Sequence, residues 1–376
     1  MSGFDPAAAA AAYVQQLPAA ERAAAASHTA WSEGLGLAVV AVLLLACWAI
    51  ARSGLLIRIC ARMDAAGRPG WMAGSACGAV LAGLAALAVT PVELVGAVLA
   101  GEAPLAALAM ALRQDAVYAL VGAVAAPLLF GLIRLAPRAW PLICGGFLAT
   151  LVFASVWLPF AEASGPPPLP AAPAGAARSG LLRLIGETHV PASEVYISAN
   201  PAIDADVTGV GSARVVISRG LWAKASPEEL RGSVGHLISH YVHHDQLSIA
   251  LLLAALTVGL FLAAKALFEP AAKLLGAAVN SPDDAAGAPV LLAIAAVYLC
   301  GAICADHAFI RAINVRADQY SLDHARAPDG LAMALLHEWK GQEVDPSPLQ
   351  EALFYDHPAL EGRLLHAMRW KAAHGG

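Results

Sequence analysis

Charge is what this chain has least of. Only 14% of its 376 residues are Asp, Glu, Lys or Arg, against 59% hydrophobic residues. A soluble domain carries about 25% charged residues. The deficit leaves too little polar surface to cover a water-soluble globule, so the chain belongs in a lipid bilayer, and its mean hydropathy of +0.64 agrees. The basic residues are scattered rather than gathered into a stripe, which argues against nucleic acid as a partner. A net charge of −5 is too small to indicate any other partner. Cysteine is sparse as well. Cys47, Cys60, Cys77, Cys144, Cys300 and Cys304 lie mostly in apolar runs, which suits buried thiols better than a disulfide framework. Cys300 and Cys304 share a helix face and read as small core residues. The Ala-rich N-terminus has no basic stretch followed by an apolar core, so no cleavable signal is expected.

Long apolar runs are what the chain has instead. Residues 35–51, 71–100, 116–133, 140–160, 248–268 and 289–310 are each long enough to span, which predicts a polytopic α-helical protein with about six transmembrane helices. The second run is interrupted by Thr90-Pro91 and reads as one tilted span or as a span with a re-entrant piece. Residues 101–115, with Glu102, Arg113 and Asp115, read as a connection. The organisation expected is an N-terminal tail (1–34), Ala-rich and polar enough to be a solvated or interfacial helix, a first set of transmembrane helices (35–160), a Pro/Ala-rich linker (161–179), a mixed segment (180–246), a transmembrane hairpin (247–312) and a helical C-terminal part (313–376). The linker contains G-P-P-P-L-P, which cannot be helix. In the mixed segment, 195–198 and 213–218 read as short strands flanking D-A-D-V-T-G-V-G, with turn-forming glycines at 209 and 211.

The segment ends on R-G-S-V-G-H-L-I-S-H-Y-V-H-H-D, residues 231–245. Ser226-Pro227-Glu228-Glu229 opens a helix there, with Ser at the N-cap, Pro at the first turn and acids behind it. On that helix His236 and His240 share one face, a turn apart, as paired zinc-binding histidines do. In H-E-x-x-H the intervening glutamate is the general base of a zinc protease. Leu237 stands in that place. The spacing alone is weak, since chance gives roughly 0.4 such pairs in a chain with this much histidine.

Several motifs in order are more specific. L-I-R-L-A-P-R-A-W, V-Y-I-S ahead of G-V-G, S-P-E-E-L-R-G-S-V-G-H-x-x-x-H-Y-V-x-x-D, H-A-F-I-R-A-I-N-V-R-A-D and F-Y-D-H-P-A-L-E-G-R together resemble the integral-membrane zinc metallopeptidases of the CAAX prenyl protease type 1 class and their bacterial relatives. The likeness covers most of the chain. It implies a mainly α membrane protein with a small inserted α/β metallopeptidase-like domain. It also implies zinc held by His236, His240 and the residue at 314, with Asp318 orienting a ligand histidine and His357 and Arg363 near the reacting carbonyl. The partners implied are a peptide or membrane-protein segment held in a groove, and the lipid bilayer around the spans.

Three positions depart from that pattern. The general-base glutamate is Leu237, the third ligand is Asn314, and the asparagine before the substrate-pairing edge strand is Asp204. Leucine can neither take nor return a proton, and losing positioned acid–base help costs roughly 10²- to 10⁴-fold. Asn314 is neutral, and carboxylate is the usual oxygen ligand of zinc. Two losses at one site compound, so the expectation is a pseudoprotease with a weakened or lost zinc site. An atypical but active zinc endopeptidase is the alternative, and a scaffold that uses only its spans is a third reading. Other candidates read from the residues are a displaced pair at His240 and His244, His307 as a substitute ligand beside Asp306, Asp318 paired with a nearby arginine, and Glu338 as a replacement base. Each has a plain alternative as an interfacial or packing residue. Multi-pass topology, high Ala content and short loops point to a bacterial plasma membrane.

Overall fold

The computed structural model describes residues 4–163 and 166–375. Residues 1–3 of the expected tail, 164 and 165 of the expected linker, and 376 lie outside the described residues. Among those described, six helices are long and apolar enough to cross a membrane. They are α2 (Ala19–Ser53), α4 (Gly70–Leu99), α5 (Pro104–Leu135), α6 (Trp140–Glu162), α10 (Asp245–Leu275) and α11 (Ala288–Ala325). The protein is a polytopic helical membrane protein with one small sheet. Its chain divides into two compact units, one of residues Met1–Thr29, Val152–Leu253 and Cys304–Gly376, the other of Ala30–Leu151 and Ala254–Ile303.

The second unit is a bundle of apolar helices. α4 and α5 meet at Gly78 and Gly122, where a Cβ on Gly78 would lie 2.2 Å from the Gly122 carbonyl oxygen. Side-chain-free positions of this kind let membrane helices approach closely, which is where their packing energy comes from. α4 is a single helix that carries Pro91 inside it, not a span with a re-entrant piece. Proline is tolerated in such helices where neighbours supply the packing and polar contacts that its missing N–H removes. Thr90, just before it, lies 2.8 Å from the Asp115 carboxylate. The connection expected over 101–115 is therefore shorter. α5 begins at Pro104, and Asp115 is buried within it. A charge that looked like a boundary is accommodated inside a helix pair. Cys60, on the short helix α3 (Leu55–Ala65), approaches Cys77 to 3.5 Å, and all six cysteines are free thiols. Cys300 is exposed rather than in the core.

The first unit carries the sheet. β1 (Val195–Ser198), β2 (Ala205–Thr208) and β3 (Arg214–Ser218) lie in the order β1-β3-β2. β1 runs parallel to β3 with Val195 beside Val215, and β2 runs antiparallel with Asp206 beside Val216. The turn expected at 204–211 thus contains a strand. Alternation explains it: Val207 is buried while Asp206 faces outward, so A-D-V-T has the period of a half-buried strand. Val195, Val207, Val215 and Ile217 form a core with Leu184 of α7 (Ala176–Glu187) and with Leu230, Val234 and Ile238 of α9 (Pro227–Val242). The short α8 (Arg219–Lys224) joins β3 to α9 and is capped by Ser218, whose Oγ accepts from the Leu221 N–H.

A second core in this unit gathers α12 (Pro328–Glu338), α14 (Leu360–Ala373) and α1 (Pro6–Val14), with α13 (Pro348–Phe354) between the first two in sequence. Within residues 4–34, α1 is packed rather than solvated. Ala10 and Val14 bury against Leu335, Leu364 and Met368, the Tyr13 hydroxyl donates to Asp329 at 2.7 Å, and the following residues run into α2. An alanine helix looks solvated in sequence, yet its small face packs closely once a partner surface is present.

Candidate metal centre and groove

α9 positions the two histidines. Ser226 caps it, its Oγ accepting from the Glu229 N–H at 3.1 Å, and Pro227 occupies the first turn. Leu230, Val234 and Ile238 bury one face against the sheet. Two glycines set the other contacts. A Cβ on Gly232 would lie 2.5 Å from the Leu331 backbone nitrogen, and one on Gly235 would lie 2.9 Å from Ser321 Oγ. Ser321, on α11, donates its hydroxyl to the Gly232 carbonyl at 2.7 Å. With both sides held this closely, His236 and His240 are left facing a groove of about 1310 Å³.

The imidazoles point at each other. Their Nε2 atoms are 3.0 Å apart, and the rings cross at 78°. Each Nδ1 lies on a carboxylate: His236 on Asp318 at 2.8 Å and His240 on Asp245 at 2.9 Å. Each carboxylate is backed by an arginine. Arg363 donates twice to Asp318, through both nitrogens at 2.7 Å, and Arg316 pairs with Asp245. Burial holds the His236 imidazole below its ordinary pKa, and Asp318 opposes that shift. Burial also works against the Arg363 charge, but Asp318 outweighs it and holds the guanidinium above its ordinary value.

Whether zinc fits follows from the donors. With a proton on each Nδ1, both Nε2 lone pairs face inward, and two lone pairs 3.0 Å apart repel unless a proton or a cation lies between them. Carboxylates behind Nδ1 are also how ligand histidines are oriented in zinc sites. That half of the site fits the ion. The remaining donor does not meet zinc's usual preference. Asn314 is buried on the groove wall and donates its amide to the Ile310 carbonyl at 2.9 Å. It offers a neutral amide oxygen and no charge. Among the described residues no group of three or more His, Cys, Asp or Glu side chains converges to hold a metal. The fit is therefore partial, and no chemical step is derived through zinc.

Leu237 lines the same groove. So does Glu338, whose carboxylate accepts from Ser233 Oγ at 3.3 Å. Ser233 lies four residues before Leu237, on the same face of α9, so Glu338 sits one turn from Leu237. His357 also lines the groove, but it pairs with its neighbour Asp356, 3.0 Å away, whose carboxyl His357 holds below its ordinary value against the opposing effect of burial. Arg363 spends its donors on Asp318.

Two candidates are not brought to the pair. His307 does not line the groove, and its Nδ1 is buried without a partner among the described residues. His244 cannot form a displaced pair with His240, because α9 ends at Val242 and His244 has φ +54°. Its helical spacing to His240 therefore does not exist. The same reversal swings Asp245 back onto His240. That partner was visible in the sequence only as the acid at the end of H-Y-V-H-H-D, where a helix stop had to be inferred first.

The groove's other wall is β2. Residues 203–208 line it, and in the sheet order β2 is an edge, paired on one side only among the described residues.

Comparison with known proteins gives the family. The family described as Peptidase family M48 matches residues 172–371. A protease HtpX homolog of Syntrophobacter fumaroxidans (strain DSM 10017 / MPOB) is 26% identical over 189 residues, which cover 48% of this chain and 66% of that relative. The chain thus spans just under two thirds of its length. The crystal structure of S. mikatae Ste24p superposes with a TM-score of 0.46 at 16% identity, over 67% of this chain and 64% of that one.

Proposed function

The chain belongs to peptidase family M48, and on that premise we propose that it is a CAAX-protease-like member that has lost peptidase activity and binds extended peptides or membrane-protein tails in its groove. The observation that carries this is the contrast within one site. The histidines keep their carboxylates and arginines, while the base position holds Leu237 and the third-ligand position holds Asn314. Zinc, where bound, would be held by His236, His240 and the Asn314 amide oxygen, and would supply a Lewis acid and a water of lowered pKa. Leu237 can take no proton from that water. Loss of a positioned base alone costs roughly 10²- to 10⁴-fold. The edge of β2, exposed along the groove, is suited to pairing with an extended chain, since added strands gain affinity from main-chain hydrogen bonds. We place the protein in a bacterial plasma membrane.

The test is bound metal and turnover in detergent-purified full-length protein. Elemental analysis of the wild type is expected to show well under one zinc per chain, with no cleavage of casein or of short peptides. Leu237→Glu with Asn314→Glu is expected to raise zinc toward one per chain and to introduce slow cleavage. Wild-type cleavage that disappears in His236→Ala/His240→Ala would overturn the proposal. It would favour the second reading, an atypical zinc endopeptidase, for which the retained carboxylate behind each histidine and the proximity of Glu338 to Ser233 speak.

A further inference from the structure

The groove wall has a chemical bias that neither the family pattern nor the histidine site accounts for. β2 pairs Asp206 with Val216 and Thr208 with Arg214, so Asp204, Asp206 and Thr208 project from one face of the sheet. Ala205 and Val207 project from the other, where they pack with the core of α9 and the sheet. Both acids therefore stand on the open face of the edge strand, about 7 Å apart, the repeat of every second residue in a strand. Among the described residues neither carboxylate has a cation within ion-pair distance. The nearest opposite charge felt by Asp206 is Arg214, diagonal to it on β3.

The rest of the lining leans the same way. It carries Glu338 and Glu343 against Lys340, while Asp356 is paired with His357, Arg363 with Asp318 and Asp245 with Arg316. An unpaired strand edge, room for a chain beside it and uncompensated carboxylates at a two-residue repeat are three features of one surface.

We propose that the groove selects extended peptide segments that carry a lysine or arginine at every second position, bound as a fourth strand along β2 with those side chains over Asp204 and Asp206. This rests on the peptide-binding reading above and adds the substrate class to it. A guest strand hydrogen-bonded to β2 places alternate side chains on the face of Asp204 and Asp206, directly opposite them at about 5 Å or diagonally at about 7–8 Å. Two cations at positions i and i+2 meet both acids. Two cations at i and i+1 fall on opposite faces, and only one can do so.

The experiment is fluorescence anisotropy on the full-length chain in neutral detergent micelles, with three labelled ten-residue peptides. One carries two lysines at alternate positions among Thr, Val and Ser, one carries the same lysines side by side, and one has glutamine in their place. At low salt the alternate-lysine peptide is expected to bind about three- to tenfold more tightly than the glutamine peptide, the range for two partly exposed ion pairs, with the adjacent-lysine peptide between them. Raising salt toward 0.5 M, where the Debye length shrinks to roughly 4 Å, is expected to collapse that ranking. Asp204→Asn/Asp206→Asn is expected to remove it while leaving the glutamine peptide bound.

Equal binding of the three peptides, or a ranking that survives in the double variant, overturns the inference and leaves the peptide-binding reading standing. Binding of none of the three overturns both. Should the double variant misfold, the wild-type ranking and its salt dependence decide the matter alone.

Discussion

Two buried carboxylates, one in each compact unit, are handled in opposite ways. Asp115 lies in the apolar bundle of α4 and α5, where it accepts from the Thr90 hydroxyl at 2.8 Å. Asp318 lies beside the histidine pair, where Arg363 grips it with two hydrogen bonds and His236 adds a third at 2.8 Å. A helix pair in the membrane has already secured its packing through small residues such as Gly78 and Gly122, so one hydroxyl suffices for the polar group between them. The peptidase-like unit instead spends a full ion-pair network on orienting a ring. Buried networks of this kind are weak contributors to net stability but costly to break, because removing one member strands the rest. Here the network fixes the His236 ring on the face of α9 that also carries His240, in the groove that Leu237 and Asn314 line.

The largest effect tests that contrast at Asp318. Asp318→Ala leaves the Arg363 guanidinium buried without its counter-ion and His236 without its orienting acceptor. A loss of about 3–5 kcal/mol is expected, read as a fall in the thermal unfolding midpoint in detergent. Asp318→Asn should cost less, since it keeps the shape and part of the hydrogen bonding. A change below about 1 kcal/mol for the alanine variant would show that the network is ornamental to the fold.

The hydroxyl-bonded acid in the bundle should respond differently. Thr90→Val alone removes the donor and leaves Asp115 unsatisfied, which is expected to cost about 1–3 kcal/mol. Thr90→Val combined with Asp115→Leu removes both partners and should return stability to within about 1 kcal/mol of wild type. Unfolding of single and double variants in one detergent closes the cycle. A double variant that stays as damaged as the single one would mean that Asp115 has a further partner or a role of its own.

How much of this was legible in the sequence follows the same divide. Apolar runs announce spans because lipid demands length and low charge, and six such helices are present among the described residues. What misled was local charge. Asp115 looked like the edge of a loop, because nothing in the sequence says that Thr90, on the preceding helix, will face it. The alanines of α1 looked solvated, because small residues show their packing value only against a partner surface. The histidine spacing and Asp318 could be read from motif order. Asp245 could not, since its contact with His240 depends on a chain reversal at His244. β2 was hidden inside a glycine-rich turn, although the alternation of Asp206 and Val207 was there to be counted.

The smallest effect concerns β2 itself and sets stability against binding. Asp206 is open to solvent on one side, but burial of the rest of its carboxyl and then the charge of Asp204 push its pKa up to about 6, with Arg214 pulling the other way. The ordinary carboxyl value is about 3.9. The folded chain therefore binds this proton more tightly than the unfolded chain does. The stability it contributes is complete below about pH 4 and is lost as pH rises through about 6. Asparagine mimics the protonated form. Asp206→Asn should thus be more stable than wild type above pH 6, by no more than about 1 kcal/mol given the solvent screening, and equal to it near pH 4. Denaturant unfolding at pH 4 and pH 7.5 reads the difference directly. Over the same range the wild-type preference for the alternate-lysine peptide should weaken as pH falls through about 6, because the protonated carboxyl no longer attracts a cation. A residue that costs the fold stability at neutral pH and gains peptide selectivity there is what a binding surface retains against packing. If Asp206→Asn is no more stable than wild type at pH 7.5, the carboxylate is not strained by its surroundings, and the case for a charge held ready for a ligand loses its energetic half.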